Sequence, residues 1–197
     1  MDRLLNLITS GDYEKIEGWC SKEKAIMMAS FIKSDFLCVE LGVFGGRSLL
    51  PIAFATNNKV FGIDAWSKEN SLEGVNAIEN DDWWGNLDHD YFYDYTRNLL
   101  EKHGCGNVQL LRAKSAHVVD HFQDESIDFL HQDSNHSEET SCDEVEKYHS
   151  KVKKNGIWVF DDTNWTTTRK AQGLLESHGF MEIYDSGSWK IYKKKNL

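Results

Sequence analysis

Proline is nearly absent from this 197-residue chain: Pro51 is the only one, which argues against a proline-rich linker or tail. Cysteine is scarce and scattered. Cys20, Cys38, Cys105 and Cys142 offer no C-x-x-C pair, so neither a zinc ribbon nor a dithiol redox motif is expected. Unpaired cysteines at such spacing suit a reducing compartment, and a cytoplasmic location is the expectation. No apolar run approaches the ~18–20 residues that span a bilayer. The first residues, Met1 to Asn6, lack the basic head and greasy core of an export signal, so neither membrane insertion nor export is expected. Basic residues are outnumbered, 22 Lys and Arg against 32 Asp and Glu, for a formal charge of −10. That field is opposite to the one a non-specific nucleic-acid surface needs, so no nucleic-acid partner is expected. The compact basic group Lys151, Lys153 and Lys154 reads as the close of a helix, where cations meet the negative dipole end. Aromatic residues are plentiful instead. Seven Trp, seven Tyr and ten Phe in a 40% apolar chain point to one packed domain with a sizeable core.

Hydrophobic periodicity divides the chain into alternating elements. Residues 1–33 form a helical extension in two pieces, interrupted near Gly11 and Gly18, with Ser21 opening the second helix. In that helix Ala25, Met28, Ala29 and Ile32 share an apolar face. Strands are expected over 36–41, 59–63, 108–111, 127–130 and 156–160, with helices over 47–55, 115–122, 138–152 and 166–177. Val145 and Tyr148 should be buried in the third of these helices. A hairpin, 180–184 with 189–192, turns at Asp185-Ser186-Gly187. Strands alternating with helices indicate an α/β fold. The expected form is a doubly wound, Rossmann-like, mostly parallel sheet with helices on both faces and an antiparallel strand from the closing hairpin. Residues 67–106 are too long for a plain crossover and carry Trp83, Trp84, Tyr91, Phe92, Tyr93 and Tyr95. They read as an aromatic-rich insertion or lid over the active face. The same aromatics suit packing onto the core or a dimer interface, so a homo-oligomer stays open.

The most informative run is Val39-Glu40-Leu41-Gly42-Val43-Phe44-Gly45-Gly46-Arg47-Ser48, followed by Val60-Phe61-Gly62-Ile63-Asp64. It reads as strand, glycine turn, helix start at Ser48, then a second strand ending in an acid. α/β sheets hold nucleoside-like ligands at such strand ends. Gly42 permits a sharp bend, Gly45 and Gly46 keep the turn free of side chains, and Asp64 can accept ribose hydroxyls. Glu40 beside the turn repels a pyrophosphate and favours a cationic ligand. S-adenosylmethionine has a ribose, an ammonium and a sulfonium, and no phosphate. The alternative is an ordinary strand, turn and helix with a solvated Asp64.

Two further strands end in acids, at Asp133 and at Asp161-Asp162. Carboxyl ends of strands converge on one crevice, and three gathered carboxylates repel unless a cation neutralises them or one is protonated. Oxygen ligands suit Mg²⁺, Mn²⁺ or Ca²⁺. His131 and His136 bracket Asp133 and, with it, admit an iron-type two-histidine, one-carboxylate reading. His136 lies in the loop on the active face, where a histidine can take a proton from a hydroxyl. Asp133 and Asn135 also suit plain helix capping.

With the runs Gly62-Ile63-Asp64-Ala65-Trp66, Ile127 to Ser137 and Asn155 to Asp162 added, residues 36–192 resemble the class I S-adenosylmethionine-dependent methyltransferases. The resemblance leans toward small macrocin-type sugar O-methyltransferases and shares features with cephalosporin hydroxylase-like proteins. It implies a single methyltransferase domain over 1–197 that methylates a hydroxyl of a small molecule, a sugar or natural-product intermediate. By resemblance, Glu40 lies near the methionine ammonium, Gly42 and Gly45 pass the cofactor, Asp64 holds the ribose, Ala65 and Trp66 flank the adenosine and Ser115 lies near the adenine. Asp133 floors the transfer site and, with Asp161 and Asp162, would hold a divalent ion, Mg²⁺ or Mn²⁺. The sugar-modifying relatives often carry an acid where this chain has Asn135, which leaves His136 as the expected base. A non-catalytic cofactor-binding protein and a metal-dependent hydroxylase remain the competing readings.

Overall fold

Alternation along the strands decides how the chain packs, and the computed structural model, which describes residues 1–76 and 78–196, places them in one seven-stranded sheet. In chain order the strands are β1 (Cys38–Leu41), β2 (Val60–Asp64), β3 (Val108–Arg112), β4 (Ile127–Gln132), β5 (Val152–Phe160), β6 (Phe180–Asp185) and β7 (Lys190–Lys194). Their spatial order is β3-β2-β1-β4-β5-β7-β6, parallel from β1 to β5, with β7 antiparallel to both β5 and β6. The closing hairpin therefore slots its second strand between β5 and its first. Helices α1 (Asp2–Thr9), α2 (Lys22–Phe31), α3 (Leu49–Ala55), α4 (Lys68–Ser71), α5 (Ile78–Gly85), α6 (His89–Lys102), α7 (Ser115–Val118), α8 (Glu138–Tyr148) and α9 (Arg169–Ser177) complete the doubly wound α/β fold. Among the described residues no helix is long and apolar enough to cross a membrane.

Each face of the sheet has its own core. Cys38, Phe129 and Val159 pack with residues of α1, α2, α3 and α6. Val39, Leu41, Leu130 and Trp158 pack with Val145 and Tyr148 of α8 and with Ala171 and Leu175 of α9. Ser21 caps α2, its hydroxyl accepting the Lys24 N–H, and Ala25, Met28, Ala29 and Ile32 bury the expected face.

Two elements differ from the sequence reading. Helix α8 stops at Tyr148, and Lys153 and Lys154 lie in β5, which begins four residues earlier than Gly156. The early start carries a register irregularity between Ile127 and Phe129 of β4, an alternation break that hides the strand. Lys151 and Lys153 pair with Asp124 and Asp128, both at 2.7–2.8 Å, rather than closing a helix. In the 67–106 stretch, α6 is itself the crossover between β2 and β3 and buries Thr96, Leu99 and Leu100. The additional chain is the part before it, carrying the short helices α4 and α5.

The sheet order reverses between β1 and β4, the position at which α/β sheets hold ligands outside the carboxyl ends of their strands. Gly42 sits at that point with φ +82°, and a Cβ on it would collide with the carbonyl of Asp133. The glycine is required because the two loops touch, backbone on backbone.

Candidate active site

The turn after β1 is shaped by Asp64 at the end of β2. One carboxylate oxygen accepts the N–H groups of Val43 and Phe44, both at 2.9 Å, and the other accepts the Trp66 N–H at 2.7 Å. Trp66 donates its indole N–H to the Phe44 carbonyl at 3.0 Å, and Thr96 of α6 donates to the same carbonyl at 2.7 Å. Phe44 and Trp66 have φ of 48° and 39°, a conformation that persists only because these bonds over-determine it. A cavity of about 520 Å³ opens beside this turn. Gly42, Asp64, Ala65, Ser115, Asp133 and His136 all line it, so six of the residues singled out from the sequence meet at one surface. Phe44 and Trp84 add apolar wall.

The other cofactor candidates lie elsewhere. Glu40 is fully buried on the face toward α2, because strand alternation gives it the side shared with Cys38. There it pairs across the strands with His131, whose Nδ1 lies 2.7 Å from the Glu40 carboxylate. Gly45 packs against the N-terminal extension, where a Cβ would lie 2.5 Å from that of Glu17. Ser48 precedes α3 as a buried residue without a side-chain cap bond, and Trp66 is closed off beneath Phe44.

The acids divide in two. Asp161 points inward, where the Lys24 ammonium of α2 pairs with its Oδ2 and His131 Nε2 lies 3.6 Å away. Asp162, at φ 50°, turns the other way and meets His136 Nε2 at 2.6 Å. Asp133 lies between, 3.8 Å from the same His136 nitrogen. The clusters able to hold an ion among the described residues near the cavity are therefore His131–Asp133–Asp161 and Asp133–His136–Asp162, and neither gathers all three aspartates. The two histidines fall in different clusters, so the two-histidine, one-carboxylate arrangement is not assembled either. A third cluster, Glu146–His149–His178, lies at the far end of α8. Each cluster brings a histidine nitrogen in place of a third carboxylate, and Asp161 already meets the Lys24 ammonium at Oδ2 and, at Oδ1, the Asp162 N–H at 3.1 Å, so the all-oxygen shell preferred by Mg²⁺ is not offered.

Burial and neighbours set the protonation states. Burial, with the charge of Asp161, pushes the Asp133 carboxyl up to about 7, although His136, Lys24 and His131 pull against the rise. Burial disfavours the His136 cation, but the Asp133 and Asp162 carboxylates outweigh it and raise its pKa to about 10. His136 Nε2 thus lies beside two carboxylates that favour its charged form over the neutral form a base requires. Burial also opposes ionisation of Asp161, yet Lys24 holds its carboxyl well below the usual range.

Two contributors, Glu144 and Lys24, were missed in the sequence, and a third, Asn135, has a different place from either one weighed there. Glu144 of α8 is buried at the cavity wall and accepts from Ser115 Oγ and Ser134 Oγ, both at 2.6 Å, and from Gln132 Nε2 at 2.9 Å. Burial still lifts its carboxyl to about 7. Its place on the buried face with Ser141, Val145 and Tyr148 was a readable signal. Lys24 likewise shares the buried side of α2 with Ala25 and Met28. Asn135 serves neither as acid nor as base: its amide donates to the carbonyls of Ser71 and Glu73, both at 3.0 Å, and so ties the α4 region to the β4 loop.

A family model described as a methyltransferase domain matches residues 39–163. No curated protein sequence matches the chain. Solved structures share the fold at low identity. Precorrin-6y C5,15-methyltransferase from Geobacter metallireducens aligns with a TM-score of 0.69 at 15% identity, over 93% of this chain and 95% of that one. A SAM-dependent O-methyltransferase from Thermotoga maritima gives 0.65 at 13% identity, over 98% and 72%. A methyltransferase from Geobacter sulfurreducens gives 0.63 at 15% identity, over 100% and 90%.

Proposed function

The chain belongs to the methyltransferase domain family, and from that premise we propose that it transfers the methyl group of S-adenosylmethionine to a hydroxyl of a small molecule. The observation that carries this reading is the single cavity joining the Asp64 turn to Asp133 and His136. One end offers a nucleoside subsite and the other an ionisable pair beside the reacting oxygen.

Three of the four acceptor positions of the Asp64 carboxylate are taken by backbone N–H groups, which leaves it oriented for one ribose hydroxyl. Six acids, Asp64, Glu73, Asp133, Glu139, Asp143 and Glu144, line the cavity against Lys114 and His136, a balance that suits a sulfonium and an ammonium better than a phosphorylated acceptor. In the reaction the acceptor oxygen attacks the methyl carbon in line as the carbon–sulfur bond breaks. The hydroxyl proton passes to the Asp133 carboxylate, and S-adenosylhomocysteine and a methyl ether remain. A base near neutrality is best matched to this task, and in-line alignment contributes ~7–11 kcal/mol relative to free encounter. His136, paired with Asp162, works against the rise in the Asp133 pKa and so favours its ionised form. No step is routed through a divalent ion. Phe44 and Trp84 give a ring face to pack on, in keeping with a sugar or natural-product ring as the acceptor.

Calorimetric titration with S-adenosylmethionine tests the nucleoside end. Asp64→Ala is expected to weaken binding by about 2–5 kcal/mol, as for a buried charge-assisted contact. A labelled-methyl assay against hydroxylated sugars and phenols tests the other end. Unchanged affinity in the variant would remove the ribose assignment. Tight cofactor binding with no transfer to any acceptor would favour a binding protein.

A further inference from the structure

We propose that Lys24 is a built-in counter-cation that takes the place of a divalent metal at Asp161, so that this acid cluster works without an ion. The inference rests on reading the cavity as a methyl-transfer site.

Helix α2 is positioned for this. Its cap at Ser21 fixes the first turn, and Lys24 leaves that turn on the buried side with Ala25 and Met28. The side chain reaches Asp161, 137 positions away in sequence, and the two side chains are only 4% and 13% exposed. An ammonium buried to that degree without a partner is strongly disfavoured, so the pair stands or falls together. The partner carboxylate has no oxygen left uncontacted: Oδ2 meets Lys24 and Oδ1 accepts the Asp162 N–H. Asp162 in turn is committed to His136, and Glu40 to His131. Each acid behind Asp133 therefore has a side-chain cation or imidazole of its own. An entering divalent ion would lie against the fixed charge of Lys24, whose repulsion at a few ångströms in this buried setting works against binding. Mg²⁺ and Mn²⁺ also favour shells of several oxygens, and with Asp161 split from Asp162 each cluster around Asp133 offers two carboxylates and a histidine rather than three carboxylates. Lys24 is not among the residues lining the cavity and acts from behind it on Asp161 and Asp133, which makes it a positioning residue.

Manganese is the probe. Electron paramagnetic resonance reads free Mn²⁺ directly, so the protein saturated with S-adenosylhomocysteine is titrated as wild type, Lys24→Met, Lys24→Arg and Asp161→Asn. The expected result is that wild type and Lys24→Arg leave the ion free. Lys24→Met should gain at least ~10-fold in Mn²⁺ affinity, because removing the cation opens Asp161. One equivalent bound by wild type and lost in Asp161→Asn would overturn the proposal. Indifference of Lys24→Met to manganese would overturn it equally, since Lys24 would then not be what excludes the ion. Should Lys24→Met fail to fold by circular dichroism, Lys24→Gln replaces it. If that variant also fails, the wild-type and Asp161→Asn titrations decide by the same criterion. Cofactor affinity measured on the same samples without manganese separates this outcome from failure of the methyl-transfer reading.

Discussion

At the Asp64 end of the cavity the polar side chains are answered by backbone groups, whereas at the Asp133 end they are answered by one another. Asp64 holds three N–H groups and Trp66 a carbonyl, and these partners carry no proton that changes with pH. Asp133, His136, Asp161, Asp162 and Lys24 form a cluster of neighbouring ionisable groups, in which Asp161 raises the Asp133 pKa while His136 and Lys24 lower it. The first end is a rigid mould, and the second is an electrostatic balance.

Breaking both ends together should have the largest effect. Gly42→Ala puts a methyl into the Asp133 carbonyl at a positive φ, and it should destabilise the fold by about 2–5 kcal/mol. Urea denaturation measures this, and a variant as stable as wild type would show that the two loops are free to part. A smaller and more selective effect is expected from His136→Gln. Loss of the imidazolium removes a charge that lowers the Asp133 pKa, so the acidic limb of the single-turnover pH profile should move to higher pH. The rate near pH 7 should fall roughly 10–100-fold and recover on the alkaline side. Disappearance of the limb would instead restore His136 as the base. The smallest effect sharpens the comparison from the wall between the ends. The Glu144 carboxyl, raised to about 7 from 4.5, keeps its proton in the folded chain over a range where the unfolded chain loses it. Its contribution is complete below about pH 4.5 and declines as pH rises toward 7, by roughly 1–3 kcal/mol at most. Glu144→Gln should flatten that decline between pH 5 and 7.5 in chemical denaturation. Part of the slope should survive, because Asp133 titrates in the same direction.

The frame was legible because it is written in short-range pattern. The glycine run, the acid closing β2 and the alternation of strands and helices are local, and they yield the parallel sheet and the Asp64 turn. The acids at the ends of β4 and β5 were legible as a group for the same reason, since topology brings strand ends to one crevice. Their division into opposite directions was not, because it depends on the backbone of Asp162 and on a lysine from the N-terminal extension. Glu40 was misplaced for a simpler cause. Its distance from Gly42 suggested the cofactor, while the two-residue period of β1 assigns it to the α2 face. In the 67–106 stretch a helix through Leu99 and Leu100 was legible, but the length of the whole segment hid that this helix is itself the crossover between β2 and β3.

The Asn135 tether joins two parts of the cavity rim by bonds of different kinds. The rim segment following α4 is held over the cavity by the two amide bonds from Asn135 and by the ion pair of Lys114 with Glu73 at 2.7 Å. All of these lie near the surface, where such bonds are individually weak and the ion pair is screened by salt. Salt should therefore weaken the Lys114–Glu73 pair while leaving the two Asn135 amide bonds, which carry no net charge, to hold the segment to the β4 loop.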